Sequence, residues 1–163
     1  MAIGGIVIAV LVVGVWWLEG SSDPCPGGSL PDGYTPLQAA AVQEDRAAMA
    51  ETIEITGDPD GADCTGYTAL MEAPGPRCRS HPSSVRVLLA HGAHVDRADE
   101  GGSTALDVAL IRGDVASAML LLDHGASTDH SSDALDRDGG VTPCEIGRRT
   151  LPTEAALLRR LCN

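Results

Sequence analysis

The stretch from Asp99 to Asp129 decides the fold, and it reads DEGGSTALDVALIRGDVASAMLLLDHGASTD. It contains two short apolar runs, one from Thr104 to Gly113 and one from Val115 to Leu122. A run of this length is too short to be a stable helix by itself in water. Together the two runs predict an antiparallel helical hairpin with apolar surface on both sides. Such a unit buries that surface only when a neighbouring copy packs against it.

Copies of the opening motif of this hairpin occur elsewhere in the chain. The motif GSTAL at Gly102–Leu106 has counterparts GYTPL at Gly33–Leu37, GYTAL at Gly66–Leu70 and GVTPC at Gly140–Cys144. The spacings between successive copies are 33, 36 and 38 residues. The closing motif repeats as well, because LLAHGA at Leu88–Ala93 returns as LLDHGA 33 residues later. Two motifs that recur together predict a stack of four units.

A 33-residue period that combines G-x-T-P-L with L-L-x-x-G-A resembles the ankyrin repeat, in which a finger-like turn precedes two helices. The resemblance implies an all-α solenoid of about four helix–turn–helix repeats with finger turns over residues 31–163. The repeats are expected at about residues 31–60, 63–96, 99–129 and 137–163. The resemblance extends to small membrane-anchored bacterial ankyrin-repeat proteins, some of which act in stress protection and some as immunity proteins against secreted toxins.

The composition limits the classes of function. The chain has 44% apolar residues but no Phe, two Tyr and two Trp, so Ala, Leu, Val and Ile must build the core. Its 11 basic residues stand against 23 acidic ones, which gives a formal net charge of −12. This balance argues against nucleic acid, because neutralising phosphates requires clustered positive charge. The charge is consistent either with a basic partner or with an acidic surface that keeps the chain soluble.

The first 18 residues form a separate segment. Ala2 to Leu18 are uncharged and almost all apolar, and as a helix they would span about 26 Å, enough for a bilayer core. The sequence therefore predicts a single-pass transmembrane anchor at residues 1–18, in the inner membrane, with a linker at residues 19–30. No Arg or Lys occurs before Arg46, and this permits the repeats to face the periplasm. The alternative is a signal peptide that is cleaved after Ser22, which would leave a secreted or periplasmic protein.

Five cysteines are consistent with an oxidising compartment. In a helical hairpin, Cys144 at the start of the first helix lies beside Cys162 at the end of the second, so we expect a disulfide worth about 3 kcal/mol. The alternative is two unpaired thiols. Cys64 and Cys78 are expected at opposite ends of one helix, about 10 Å apart and beyond disulfide reach. Cys25 with Cys64 is therefore the expected second pair, which leaves Cys78 over.

Four side chains imitate the ligand spacing of a zinc site: Cys78, His81, His91 and His94. We expect no metal and no cofactor, because His81 and His91 are predicted at opposite ends of one helix. These residues carry the alternative function, a metal- or redox-linked accessory protein.

The sequence contains no catalytic motif such as G-x-S-x-G, a Gly-rich phosphate loop or H-E-x-x-H. A threonine recurs at the same position of each repeat, and each hydroxyl is expected to cap the start of a helix. These threonines are Thr35, Thr68, Thr104 and Thr142. The sequence therefore predicts a protein that is not an enzyme.

The resemblance to ankyrin repeats implies that one partner protein binds a monomeric chain through the concave face. Tyr34 and Tyr67 fall at equivalent positions of two finger turns, and tyrosine is enriched in binding hot spots. The alternative is that the two rings only pack one finger turn on the next. The expected contact residues are Tyr34, Gln38 and Gln43 in repeat one, Tyr67, Met71 and Glu72 in repeat two, and Ser103, Asp107 and Arg112 in repeat three.

Overall fold

A computed structural model describes residues 34–75, 82–133 and 140–162 of the chain. These residues form eight α-helices and two isolated β-bridges. The helices are α1 (Pro36–Val42), α2 (Arg46–Thr56), α3 (Ala69–Glu72), α4 (Pro82–Ala90), α5 (Ala105–Arg112), α6 (Val115–Asp123), α7 (Pro143–Thr150) and α8 (Ala155–Leu161).

The helices pair as four hairpins, and the hairpins stack in chain order. Within each hairpin the first helix packs against the second, as α5 does against α6. Between hairpins, α1, α3, α5 and α7 pack on one another in sequence and form a first-helix layer. The helices α2, α4, α6 and α8 form a second layer in the same way. The predicted all-α stack is therefore confirmed for the described residues, with the hairpin of residues 99–129 as its third unit.

Each recurring threonine is the N-cap residue of the first helix in its repeat. The hydroxyls of Thr35, Thr68 and Thr142 each accept a hydrogen bond from the backbone N–H three residues later, at 3.2–3.4 Å. Each bond satisfies a donor that a helix start would leave unpaired. At Thr104 the contact differs, since its backbone N–H and hydroxyl both donate to the side chain of Asp107.

Glycine is required where one finger turn rests on the next. Gly66 and Gly102 have φ values of 80° and 76°, in the left-handed region that other residues rarely adopt. A Cβ on Gly66 would lie 3.2 Å from Cα of Asp99, and a Cβ on Gly102 would lie 3.2 Å from the carbonyl oxygen of Ser131. The turns of successive repeats therefore stack backbone against backbone.

Among the residues that the structure describes, no aromatic side chain is fully buried in the core. The core is built from aliphatic side chains and methionine, in agreement with the composition. Small side chains such as alanine allow neighbouring helices to approach closely. The largest fully buried apolar side chains are Met49, Leu70, Met71, Leu88, Leu106, Leu110, Leu121, Ile146 and Leu157.

Repeat two is irregular. Its first helix, α3, has only four residues and ends at Glu72, two residues before Pro74. The second helix begins at Pro82. Proline at this first position lacks only a donor that the helix would not use.

Repeat four has a polar outer side. Arg148 occupies the position that buried Leu110 holds in repeat three, and Arg148 is exposed. A polar outer face is typical of a capping repeat, which has no further unit to cover it.

The predicted anchor at residues 1–18 and the linker at residues 19–30 lie outside the described residues. Among the helices that the structure describes, none combines the length and the apolar character needed to cross a membrane.

Candidate functional site

Gln38 connects repeat one to the finger turn of repeat two. Its side chain is fully buried, and its Nε2 donates to the carbonyl oxygen of Tyr67 at 2.9 Å and to Oδ2 of Asp63 at 3.2 Å. Its Oε1 accepts from the backbone N–H of Thr35. Gln38 is therefore part of the inter-repeat contact and is not accessible to a partner, which corrects the prediction from sequence.

The equivalent position in repeat three is Asp107, which also faces the next turn. Asp107 is fully buried, and its Oδ2 lies 2.7 Å from Nε2 of His130, in the segment between repeats three and four. The same oxygen accepts from the backbone N–H of Thr104 at 3.0 Å. An aspartate at this depth is retained because it is paired and hydrogen-bonded. Asp107 is an inter-repeat connector.

Two further predicted contact residues are buried. Met71, at the equivalent position in repeat two, fills the core, and Ser103 retains only 7% exposure at the base of a finger turn. The prediction of accessible contacts was therefore wrong for Gln38, Met71, Ser103 and Asp107. The physical reason is that the start of each first helix faces the next repeat.

The contact with Asp107 makes the stability of repeats three and four depend on pH. The hydrogen bond that His130 donates to the carboxylate of Asp107 raises the pKa of His130 above 6.5, more than burial lowers it. A raised pKa means that the folded state binds the proton more tightly than the unfolded state. The stabilisation is complete below pH 6.5 and is lost as the pH rises through the pKa of the folded state.

His130→Gln is therefore expected to destabilise the chain more at pH 5.5 than at pH 9. At the lower pH the loss should be on the order of one hydrogen bond to a charged group, about 1.5–3 kcal/mol. Urea unfolding at both pH values measures the difference. His124→Gln is the matched control, since this exposed ring contacts the carbonyl oxygen of Leu120 in its own helix. An equal loss at both pH values would contradict the assignment.

Arg112 binds the backbone at the end of the short helix α3 in repeat two. Its Nη1 donates to the carbonyl oxygens of Glu72 at 2.9 Å and Pro74 at 2.8 Å. Its Nη2 donates to Oε2 of Glu72 at 2.9 Å. The guanidinium thus binds carbonyl groups that the missing turns of α3 would have used. Arg112 and Glu72, both predicted as partner contacts, are engaged in this clamp and remain only partly exposed.

Asp114 supports the same break from the other side. Its Oδ2 accepts the backbone N–H of Gly75 at 3.1 Å and the hydroxyl of Ser117 at 2.6 Å. Asp114 is also the N-cap residue of α6. One hairpin of repeat three therefore holds the irregular backbone of repeat two through two charged side chains.

The two tyrosines differ in their surroundings. Tyr67 is partly buried against the core, and its hydroxyl donates to the carbonyl oxygen of Met71 at 3.4 Å and accepts from Arg112. Burial raises the pKa of Tyr67 to about 12, so the hydroxyl stays neutral. Tyr67 therefore contacts repeat three through Arg112, and its role as a partner contact stays a prediction. Tyr34 is partly exposed at the start of α1.

Accessible side chains on the first-helix layer define a surface that we call the inner face: Tyr34, Val42, Gln43, Ile111 and Arg149. Val42 and Ile111 lie in the last turns of α1 and α5 at equivalent positions and are 45% and 36% exposed. They lie two helix spacings apart, roughly 16–20 Å. Sequence reasoning missed both, although the signal was available: each apolar residue stands seven positions after a recurring threonine.

Two recurring aspartates were also missed, and they shape the turns between repeats. Asp60 and Asp96 occupy equivalent positions and accept the backbone N–H of His94 at 2.9 Å and of Ser127 at 2.7 Å, respectively. Asp63 binds its own turn; burial alone would raise its pKa, but hydrogen bonds, including those from Thr65, lower it. Recurrence of Asp at a 36-residue spacing was the available signal.

The structure contains a disulfide between Cys144 and Cys162, the pair that the sequence predicts, with a Cα–Cα distance of 5.0 Å. Cys64 is also disulfide-bonded. Cys25 and Cys78 lie outside the described residues, so pairing of Cys25 with Cys64 stays a prediction.

Of the four side chains whose spacing imitates a zinc site, two lie in the described residues, namely His91 and His94. Cys78 and His81 lie outside the described residues. The ring of His91 contacts the carbonyl oxygen of Val87, and the ring of His94 contacts the carboxylate of Asp60. In the described part of the chain, no group of three or more His, Cys, Asp or Glu side chains is placed to hold a metal ion.

Stacked hairpins with finger turns define the class of protein, a helical-repeat solenoid. The family model described as Ankyrin repeats (many copies) matches residues 67–122. A protein of Treponema pallidum (strain Nichols), described as an ankyrin repeat-containing protein, is 37% identical over 95 residues, 57% of this chain. The matched region covers only 31% of that relative. Over the matched residues the chain is similar to ankyrin-repeat proteins, whose solenoids are in general protein–protein interaction modules.

Proposed function

We propose that this chain is a membrane-tethered, non-catalytic module that binds one partner protein through its inner face. The observation that supports the proposal is the exposure of Val42 and Ile111 at equivalent positions of the first-helix layer. The neighbouring first-helix positions are buried between repeats or engaged in contacts, so these two apolar groups are available for a partner. Burial of such groups in an interface is favourable by about 25 cal/mol per Å² of apolar area.

The charge of the chain indicates the kind of partner. With a net charge of −12, the module favours association with a basic protein, because complementary charge accelerates encounter and disfavours acidic competitors. Stress protection and immunity against a toxin are both compatible with such a partner. We expect one copy of the chain in the complex.

The experiment is capture of the native partner by the full chain, solubilised from membranes and immobilised. A Val42→Glu/Ile111→Glu double variant should lose the captured protein, since two carboxylates would be buried unpaired at the contact. Ile55→Glu is the matched control, because Ile55 is 74% exposed on α2 in the second layer. Equal capture by all three proteins would contradict the inner-face proposal. A circular-dichroism melt verifies that each variant is folded.

The tether is proposed from residues 2–18, with the repeats in the periplasm. In a Gram-negative host, the full chain should remain with the membranes after alkaline extraction, and protease added to spheroplasts should cut the repeats. Mass spectrometry should recover the N-terminal peptide intact. A mature chain that begins after Ser22 would favour the cleaved signal peptide, and protection from protease would contradict the orientation.

A further inference from the structure

The disulfide of repeat four lies in the wall of a surface groove of about 490 Å³. Cys144 is the second residue of α7, and Cys162 directly follows α8. Both cysteines are partly exposed. The rest of the wall is formed by Thr128, Asp129, His130, Ser131, Thr142 and Leu161. A thiol in solution therefore has a route to the bond that does not require the repeat to unfold.

This bond and the buried side chains of Leu157 and Leu161 attach α8 to the stack. The helix has seven residues, too few for stability by itself, and it packs against α7 and α6. Gly147 allows α8 to approach α7 closely, since a Cβ there would lie 2.7 Å from Cδ1 of Leu161. The ion pair of Arg160 with Asp123 is largely exposed and contributes little.

We propose that Cys144–Cys162 is a thiol–disulfide exchange site, which a dithiol reductant opens from the groove and which thereby controls the attachment of α8. The inference goes beyond partner binding and does not depend on it. In an oxidising compartment the bond is closed and the fourth repeat is intact. A dithiol protein that delivers electrons to the chain would detach its last described helix.

The reaction balances as two exchange steps. A thiolate of the reductant attacks Sγ of Cys162, the Cys162–Cys144 bond breaks, and the electron pair leaves on Sγ of Cys144. Cys144 lies in the first turn of α7, where backbone N–H groups and the helix dipole stabilise a thiolate. The second thiol of the reductant, after losing its proton, attacks the mixed disulfide and releases Cys162 as a thiolate. The reductant becomes a disulfide, and the chain gains two electrons and two protons.

The first test measures access. The oxidised full chain is incubated with dithiothreitol without denaturant, thiols are trapped with iodoacetamide, and peptides containing Cys144 and Cys162 are quantified. The reduction rate is expected to rise in proportion to the dithiothreitol concentration, because attack from the groove is the slow step. A rate that reaches a plateau, limited by unfolding, or no reduction without urea, would overturn the proposal.

The second test measures the consequence by hydrogen exchange. Reduction should accelerate amide exchange in α8 on the order of 100-fold, the effect expected for opening an 18-residue loop, and leave α5 unchanged. The Cys144→Ser/Cys162→Ser variant should show the fast exchange before reduction and no further change in α8 with dithiothreitol. This variant also separates the effect from the disulfide of Cys64. Unchanged protection of α8 after reduction would overturn the proposal.

Discussion

Replacing Leu121 with alanine is expected to lower the free energy of unfolding by about 3 kcal/mol. Leu121 is fully buried in α6, and α6 packs against α4, α5 and α8. A cavity at this point therefore weakens three repeats at once, because each repeat of a solenoid is stabilised by its neighbours. The loss is a large fraction of the 5–15 kcal/mol that stabilises an ordinary domain.

Urea unfolding followed by circular dichroism measures this loss. Ile55→Ala is the control, since Ile55 is mostly exposed and its truncation should change the free energy by about 0.5 kcal/mol or less. A loss below about 1 kcal/mol for Leu121→Ala would mean that the neighbouring side chains move in and fill the cavity. Such relaxation does not fit the close packing of these helices.

Replacing Arg112 with alanine is expected to lower the free energy of unfolding by about 2–4 kcal/mol. The change removes charged hydrogen bonds to two backbone carbonyls and leaves the carboxylate of Glu72 without its partner. Hydrogen bonds to charged groups contribute about 1.5–3 kcal/mol each, but their sum is reduced because Arg112 is 29% exposed to water. Unfolding should be accompanied by faster hydrogen exchange in α3.

Two comparisons make the Arg112 experiment specific. Arg112→Lys retains the charge but not the planar fork that reaches several acceptors, so it should recover only part of the stability. Arg149→Ala removes an exposed arginine from the first-helix layer and should change the free energy by about 0.5 kcal/mol or less. If Arg112→Lys had the same free energy of unfolding as the wild type, a point charge would be sufficient. The stabilising role assigned to the planar guanidinium would then be wrong.

The hairpins could be predicted because their signals are local and repeated. The threonine at the start of each first helix and the glycine of each finger turn act within a few residues of their own position. Their recurrence along the chain therefore indicated four stacked units. The neighbours Cys144 and Cys162 followed from the same hairpin geometry.

The binding surface was predicted less well because side-chain contacts between repeats depend on how the hairpins stack. Gln38 and Asp107 look like surface polar residues in sequence, yet both face the turn of the next repeat. Arg112 was predicted to contact a partner, because its acceptors, Glu72 and Pro74, belong to another repeat and are distant in the sequence. In the sequence, Val42 and Ile111 look like core residues. They are exposed because each lies in the last turn of its helix, beyond the contact with the neighbouring helices.

Site-specific photocrosslinking tests the central claim most directly, namely that the partner binds the inner face of the stack. A benzophenone amino acid replaces Val42, Ile111 or, as control, Ile55, in the full chain in its native host. The proposal predicts covalent adducts to the same partner protein from positions 42 and 111 and none from position 55. Adducts from position 55 alone would place the partner on the second layer and contradict the account.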